Sequence, residues 1–355
     1  MRNPLNLLLL LIPVALIGRV LGWPAPLLFA FSGLAIVPLA KWMGNATEEL
    51  ALHIGPGAGG LLNATFGNAT ELIIAIFALR AGLIGVVKAS ITGSIVGNLL
   101  FVLGLAVLLG GFKHARQTFN QTAASTGASQ LTLAVIGLII PAAFYFTYPG
   151  GGAGQREFRE QEVSVVVAGL LILTYALGLI FSLRTHPHLF AGEGAAGEHE
   201  APAWSVRTAT LVLLAATIGV AVMSELLVHS LDAAVASLGW SELFVGVIII
   251  PIIGNAAEHL TAVTVAMKDK MDLSLGIAVG SSTQVALFVA PLLVFISLLF
   301  SQHMNLLFTP FELVVIISAV LIANLIALDG ESNWYEGAQL LAAYAIAAIA
   351  FFFHD

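Results

Sequence analysis

Long apolar runs, repeated along the whole chain, constrain this sequence more than any other feature. Windows of roughly 20 apolar residues give eleven spans, at approximately 5–21, 24–43, 59–80, 84–109, 129–148, 162–183, 205–231, 241–267, 272–300, 308–328 and 334–353. Runs of this length can cross the hydrocarbon core of a bilayer. A helix is the structure that satisfies every backbone N–H and C=O within one such segment. The predicted fold class is an all-α integral membrane protein with eleven transmembrane helices. Composition agrees: 59% of the 355 residues are hydrophobic and 9% are charged, with a mean hydropathy of +1.00. An ordinary soluble domain carries about a quarter charged residues, so that class is excluded.

Further classes fall away on residue counts. The chain has no Cys, so it has neither a disulfide framework nor a thiolate metal site. Its basic residues are few and scattered, which gives no nucleic-acid signal, and no cofactor motif is present. The lipid bilayer is the partner that the composition requires, and a homo-oligomer is left open. Residues 5–17 have the apolar character of a signal-peptide core, but the next span follows at once without a small-residue cleavage pattern. Residues 5–21 are read as a retained helix. Trp23, Trp42, Trp204, Trp240 and Trp334 fall near predicted span ends, where an aromatic belt places them.

With the N-terminus inside, the cytoplasmic loops hold Arg2, Lys41, Lys113, Arg116, Arg184, Arg207, Lys268 and Lys270. The outer set is Arg19, Arg80, Lys88, Arg156 and Arg159. The excess of Lys and Arg predicts a cytoplasmic N-terminus and an outer C-terminus.

One short motif occurs twice inside the apolar spans: Gly67-Asn68-Ala69-Thr70-Glu71 and Gly254-Asn255-Ala256-Ala257-Glu258. An ionisable residue at membrane depth is costly and is a functional candidate by default. Each Glu lies three positions after an Asn, which puts both side chains on one helix face. Each Asn follows a Gly, where a helix breaks easily or another backbone approaches. The spans that follow also correspond, as Gly93-Ser94-Ile95-Val96-Gly97-Asn98 against Gly280-Ser281-Ser282-Thr283-Gln284. Residues 1–22 form an extra N-terminal helix, 23–184 and 205–355 form two five-helix repeats, and 185–204 is a cytoplasmic linker. An odd repeat length makes the second copy enter the membrane from the opposite side. Paired interruptions in inverted repeats point to a transporter's midplane site.

Inverted symmetry brings Glu71 and Glu258 together. Two carboxylates facing each other in a low dielectric cannot both stay charged and empty. A bound divalent cation or bound protons relieve the conflict. Such a hard oxygen site suits calcium, which takes six to eight oxygen ligands. Broken helices near Gly67 and Gly254 are expected to free backbone carbonyls. Pro251, which has no N–H, is expected to leave the carbonyl of Val247 unpartnered. Asn68, Asn98, Asn255 and Gln284 add neutral side-chain oxygens. The competing reading makes these side chains interhelical hydrogen-bonding groups. It applies least to the matched Glu pair, equally well to Asn98 and Gln284, and best to Ser94, Ser281, Ser282 and Thr283.

Other positions stay open at this stage. His259 either relays protons or, facing about 100° away from Glu258, contacts another helix. Glu48 and Glu49 repeat the motif's wording after the second span has ended, in an interfacial segment that either collects cations or simply faces water. The linker, with His186, His188, Glu193, Glu198, His199 and Glu200, is either an ion sensor or a flexible polar connection.

The chain resembles the cation/proton exchangers of the calcium/cation antiporter superfamily. Three stretches carry the resemblance: 63–73, Asn63-Ala64-Thr65-Phe66-Gly67-Asn68-Ala69-Thr70-Glu71-Leu72-Ile73; 254–259, Gly254-Asn255-Ala256-Ala257-Glu258-His259; and 278–288, from Ala278-Val279-Gly280 to Leu287-Phe288. It implies calcium/proton antiport, with Ca2+ and H+ as transported ions and Glu71 and Glu258 as the shared carboxylates. His259 also fits the family pattern. Relatives often carry a strongly acidic stretch between the halves; here the linker has three Glu. The short N-terminus implies the plasma membrane of a prokaryote, with a vacuolar membrane as the alternative. A sodium/calcium exchanger needs a richer hydroxyl set and an acid where Gln284 stands. An intramembrane hydrolase needs a nucleophile or an open metal, and no motif for one is present. A passive cation channel does not need a site that empties only by exchange.

Overall fold

The structure is a computed structural model that describes residues 4–150, 152–189 and 202–354. Arg2, Gly151 and most of the linker, including Glu193, Glu198, His199 and Glu200, lie outside the described residues. Of the described residues, 84% are helical. Among the described residues, nine helical segments are long and apolar enough to cross a membrane, and Pro4–Val20 and Pro310–Ile326 are shorter apolar helices. Together these match the eleven spans read from the sequence.

The helices are α1 (Leu11–Val20), α2 (Ala25–Ile54), α3 (Pro56–Phe66), α4 (Ala69–Arg80), α5 (Ile84–Val96), α6 (Leu103–Gly111), α7 (Gln121–Thr147), α8 (Ala153–Ile180) and α9 (Val206–Leu238). They continue as α10 (Glu242–Phe244), α11 (Ile250–Ala266), α12 (Met271–Gln284), α13 (Ala290–Ser297), α14 (Pro310–Ile326) and α15 (Trp334–Phe353). Among the described residues are four π-helical turns: Gly97–Val102, Val245–Ile249 and Val285–Val289 join α5 to α6, α10 to α11 and α12 to α13, and Phe181–Thr185 follows α8. Two of them begin at Asn98's own segment and directly after Gln284. Wide turns of this kind recur at functional sites.

The chain folds into two compact units, each drawing on both halves of the sequence. One contains residues 1–90, 196–258 and 350–355; the other contains 91–195 and 259–349. In the first unit α2 and α9 run antiparallel, because Gly33 meets Leu227 while Gly219 meets Leu39. Glycines permit this approach: a Cβ on Gly33 would lie 3.3 Å from Leu227 Cδ1, and one on Gly219 would lie 2.8 Å from Leu39 Cδ2. The buried contact is apolar, with Ile36, Leu39, Ile74, Val220, Met223 and Leu227 at its centre.

The expectation that the second span ends near residue 43 is corrected here. α2 continues to Ile54 as one helix of 30 residues. Its last turns hold the returning linker. Trp204 N–H donates to Glu49 Oε2 (3.0 Å), Trp204 C=O meets His53 Nε2 (2.8 Å), and the Trp204 ring stacks on Trp42 at 5.8 Å. Glu49 is therefore engaged in a structural contact, and Trp42 lies well inside a helix.

In the second unit, 67% of the most apolar 18-residue stretch within Met271–Ser297 is buried, against 17% of that within Glu157–Thr185. The former is a central element and the latter presents its apolar surface outward. The unit's one short sheet pairs β1 (Gln117–Thr118) antiparallel with β2 (Glu331–Ser332), with Gln117 opposite Ser332. The Arg116–Glu331 ion pair flanks it. Glu160 is wholly buried and accepts from Ser164 Oγ and Asn305 Nδ2, which anchors the 298–309 connection to α8.

Candidate functional site

The two motif copies, written alike, have different backbones. At the first copy the helix stops: α3 ends at Phe66 and α4 begins at Ala69, with Asn68 between them at φ −103° and ψ 25°. Asn is a poor interior helix former and a common residue at a helix start. Asn68 is buried, and Glu71 occupies the first turn of α4. The positive end of that helix favours a carboxylate there.

At the second copy the expected break is absent. α11 runs from Ile250 to Ala266 straight through Gly254, Asn255 and Glu258. The irregularity lies upstream, in the π-helical turn Val245–Ile249 just before Pro251. The wider turn accommodates the proline without breaking the helix. Asn255 is buried, and its Nδ2 donates to Pro251 C=O at 3.1 Å.

The first unit brings the two carboxylates together. Gly254 forms the floor under Glu71, since a Cβ there would stand 3.1 Å from Glu71 Cγ and 3.4 Å from its Cδ. Glu71 and Glu258 interact electrostatically. Glu71 as a whole residue is half-buried, but its Oε1 is shielded from solvent and has no hydrogen-bond partner. A buried carboxylate oxygen left without a donor costs more than one that is paired. Protonation or a cation removes that cost. Among the described residues, no group of three or more His, Asp or Glu side chains is arranged to hold a metal ion. Two carboxylates alone do not make a calcium shell, which takes six to eight oxygens.

The second unit holds a separate neutral polar set. Asn98 Nδ2 donates to Ser281 Oγ at 3.0 Å, and Asn98 Oδ1 is 3.2 Å from His259 Nε2. The edge of the His259 ring also meets Phe101, with centroids 6.2 Å apart. His259 thus contacts Asn98 and Phe101 of the segment that follows α5. Ser282 donates to its own helix at Ala278 C=O (2.9 Å) and lies 3.4 Å from Ile95 C=O. Thr283 Oγ1 donates to Val279 C=O. Gln284 is buried at the last position of α12.

Glu312 and Thr92 are among the buried polar residues that escaped the sequence reading. Glu312 accepts from Thr92, which lies 220 residues away, and both are buried. The local signal, Thr309-Pro310-Phe311-Glu312, has the spacing of a capping box, but no local pattern announces the distant partner.

Comparison with known proteins adds a further layer. The family model described as "Sodium/calcium exchanger protein" matches residues 24–184 and 208–353. A Ca2+/H+ antiporter of Synechocystis is 53% identical over 363 aligned residues, covering 98% of this chain and 96% of that protein. The Ca2+/H+ antiporter ChaA of Bacillus subtilis is 48% identical over 344 residues, covering 96% of each. The solved structure of native YfkE is similar with a TM-score of 0.84 and 45% identity, covering 99% of this chain and 100% of that one.

Proposed function

The chain belongs to the sodium/calcium exchanger protein family, and from that premise we propose that it is a secondary active antiporter exchanging calcium for protons by alternating access. It is a multi-pass membrane protein. The observation that carries the reading is the Glu71 carboxylate, buried at Oε1 without a donor and set against Glu258. The names of the two bacterial relatives above support protons as the counter-ion. So does Gln284, which cannot carry charge where a sodium-coupled site wants an acid.

In this reading Glu71 and Glu258 bind either one calcium ion or protons. Asn68 and Asn255 supply neutral oxygens beside them, and the carbonyls around the α3–α4 break add others. Asn98 and Gln284 are the corresponding amides of the following spans. The empty, doubly charged pair is too costly to switch between inward and outward states, because two ions out of water and close together carry a penalty of several kcal/mol. The loaded and protonated forms are neutralised and can switch, so exchange is obligatory.

The repeat boundaries 23–184 and 205–355 are part of the same reading, and the two matched segments, 24–184 and 208–353, support them. The Lys and Arg distribution supports a cytoplasmic N-terminus in a prokaryotic plasma membrane. The test is reconstitution into vesicles, with calcium movement followed under an imposed pH gradient and, separately, an imposed sodium gradient. The proposal expects the pH gradient to drive calcium and the sodium gradient to drive little. Sodium-driven flux of equal size would assign the chain to sodium/calcium exchange, and flux without either gradient's coupling would make it a channel.

A further inference from the structure

We propose that Glu312 is a positioning residue for the transport reaction, acting through Thr92 to fix the helix that presents Asn98. The inference rests on the proposed reading of the chain as a calcium carrier. Everything else in it comes from the second unit alone.

Glu312 begins as an ordinary helix-capping residue. Thr309 caps α14: its Oγ accepts Glu312 N–H at 3.2 Å, while Glu312 Oε2 accepts both Thr309 N–H and Thr309 Oγ–H at 2.9 Å. This reciprocal arrangement uses one carboxylate oxygen and satisfies the helix start. A capping glutamate usually sits at a helix surface in contact with water. Glu312 is 3% exposed. Its second oxygen, Oε1, accepts Thr92 Oγ–H at 3.0 Å from α5, and Thr92 is 0% exposed. A threonine hydroxyl in a helix can instead bond its own backbone one turn back. This one is committed to another helix.

The position of Thr92 gives the contact its consequence. Asn98 lies six residues further on, about 9 Å along the helix axis. The path between them enters the π-helical turn Gly97–Val102, which departs from regular α geometry. α14 packs against that turn directly. Asn98 needs a defined depth and rotation to donate to Ser281 while Oδ1 faces His259. The Thr92–Glu312 bond ties α5 to α14 ahead of the irregular turn, and Ser282 Oγ, 3.4 Å from Ile95 C=O, adds a longer contact closer to Asn98. Both carboxylate oxygens of Glu312 are occupied by uncharged donors, which suits a fixed anchor rather than a group that binds and releases ions.

Thr92→Val is the clean probe, since it removes the hydroxyl at nearly constant shape and leaves the cap of α14 intact. Thr92→Ser is the rescue variant. Calcium binding is measured directly on purified protein, and exchange is measured in vesicles. Thr92→Val is expected to raise the half-saturating calcium concentration about tenfold, the size of one lost hydrogen bond to a charged acceptor. The pH profile should keep its shape, and Thr92→Ser should restore affinity. Glu312→Gln offers one acceptor oxygen where Glu312 offers two, so its –NH2 must face either Thr92 or Thr309 N–H, and it should weaken calcium affinity no more than Thr92→Val does while exchange persists. Thr92→Val combined with Glu312→Gln should be no worse than Thr92→Val alone, because both act through one bond. Wild-type calcium binding by a folded Thr92→Val protein would overturn the proposal. So would loss of exchange in Glu312→Gln with Thr92→Val unaffected, since that makes Glu312 a proton carrier. If the wild-type chain itself binds no calcium, the functional reading fails first, and the two failures are told apart.

Discussion

The two Gly-Asn-x-x-Glu copies share residue types and differ in backbone. Around Asn68 the chain leaves helical geometry between α3 and α4, and Glu71 starts a new helix. Around Asn255 α11 is continuous, and the strain of Pro251 is taken up one turn earlier by a π-helical turn. The same side-chain chemistry is thus presented once from a helix start and once from a helix interior. The first copy can offer backbone carbonyls near its carboxylate. The second offers a continuous wall, with Gly254 small enough to let Glu71 lie on it. Equivalent sequence motifs therefore need not contribute equivalent ligands.

The largest expected effect treats the copies alike. Glu71→Gln and Glu258→Gln should each reduce calcium/proton exchange in vesicles to background while the protein inserts and stays folded. Exchange near the wild-type rate in either variant would mean that the copies are unequal in function as well as in backbone. Gly254→Ala should come next. Its methyl group would meet Glu71 Cγ at 3.1 Å, so the carboxylate must shift by a few tenths of an ångström. A several-fold loss of calcium affinity is expected from calorimetric titration, because hard-ion sites are sensitive to oxygen placement.

The smallest effects separate the two asparagines. Asn255→Ala removes the bond to Pro251 C=O and should lower stability by about 1 kcal/mol. Asn68 stands in the break between α3 and α4, outside either helix, so Asn68→Ala should melt closer to wild type while losing calcium affinity. Thermal unfolding in detergent checks the difference. An equal loss of stability in both would show that the backbone contrast has no energetic counterpart.

How much of this was legible in the sequence follows from what local patterns encode. Span number and placement were legible because lipid demands long apolar helices, and eleven apolar segments are present. The end of α2 was not legible, because Gly44-Asn45-Ala46-Thr47-Glu48-Glu49 is polar enough to read as a boundary. The helix persists because Ala46 and Thr47 are buried and Glu49 has Trp204 N–H to bond. The pairing of Glu71 with Glu258 was foreseen from repeat symmetry. The unbroken course of α11 was not, because a proline and a glycine read as breakers unless a π-helical turn absorbs them. Glu312 was missed for a related reason: its cap is local, but its partner Thr92 is brought to it only by packing.

The central claim is that calcium and protons compete for one carboxylate pair. The most direct measurement is calcium binding to purified protein at several pH values, with proton release followed in the same samples. A shared site predicts that apparent affinity weakens as pH falls, because protons then occupy the carboxylates that calcium needs. Over the range where both carboxylates titrate, release should approach two protons per calcium bound, and above it affinity should level off. Calcium affinity that is constant from about pH 5 to pH 9, with no protons released, would contradict a shared site and require separate paths for the two ions.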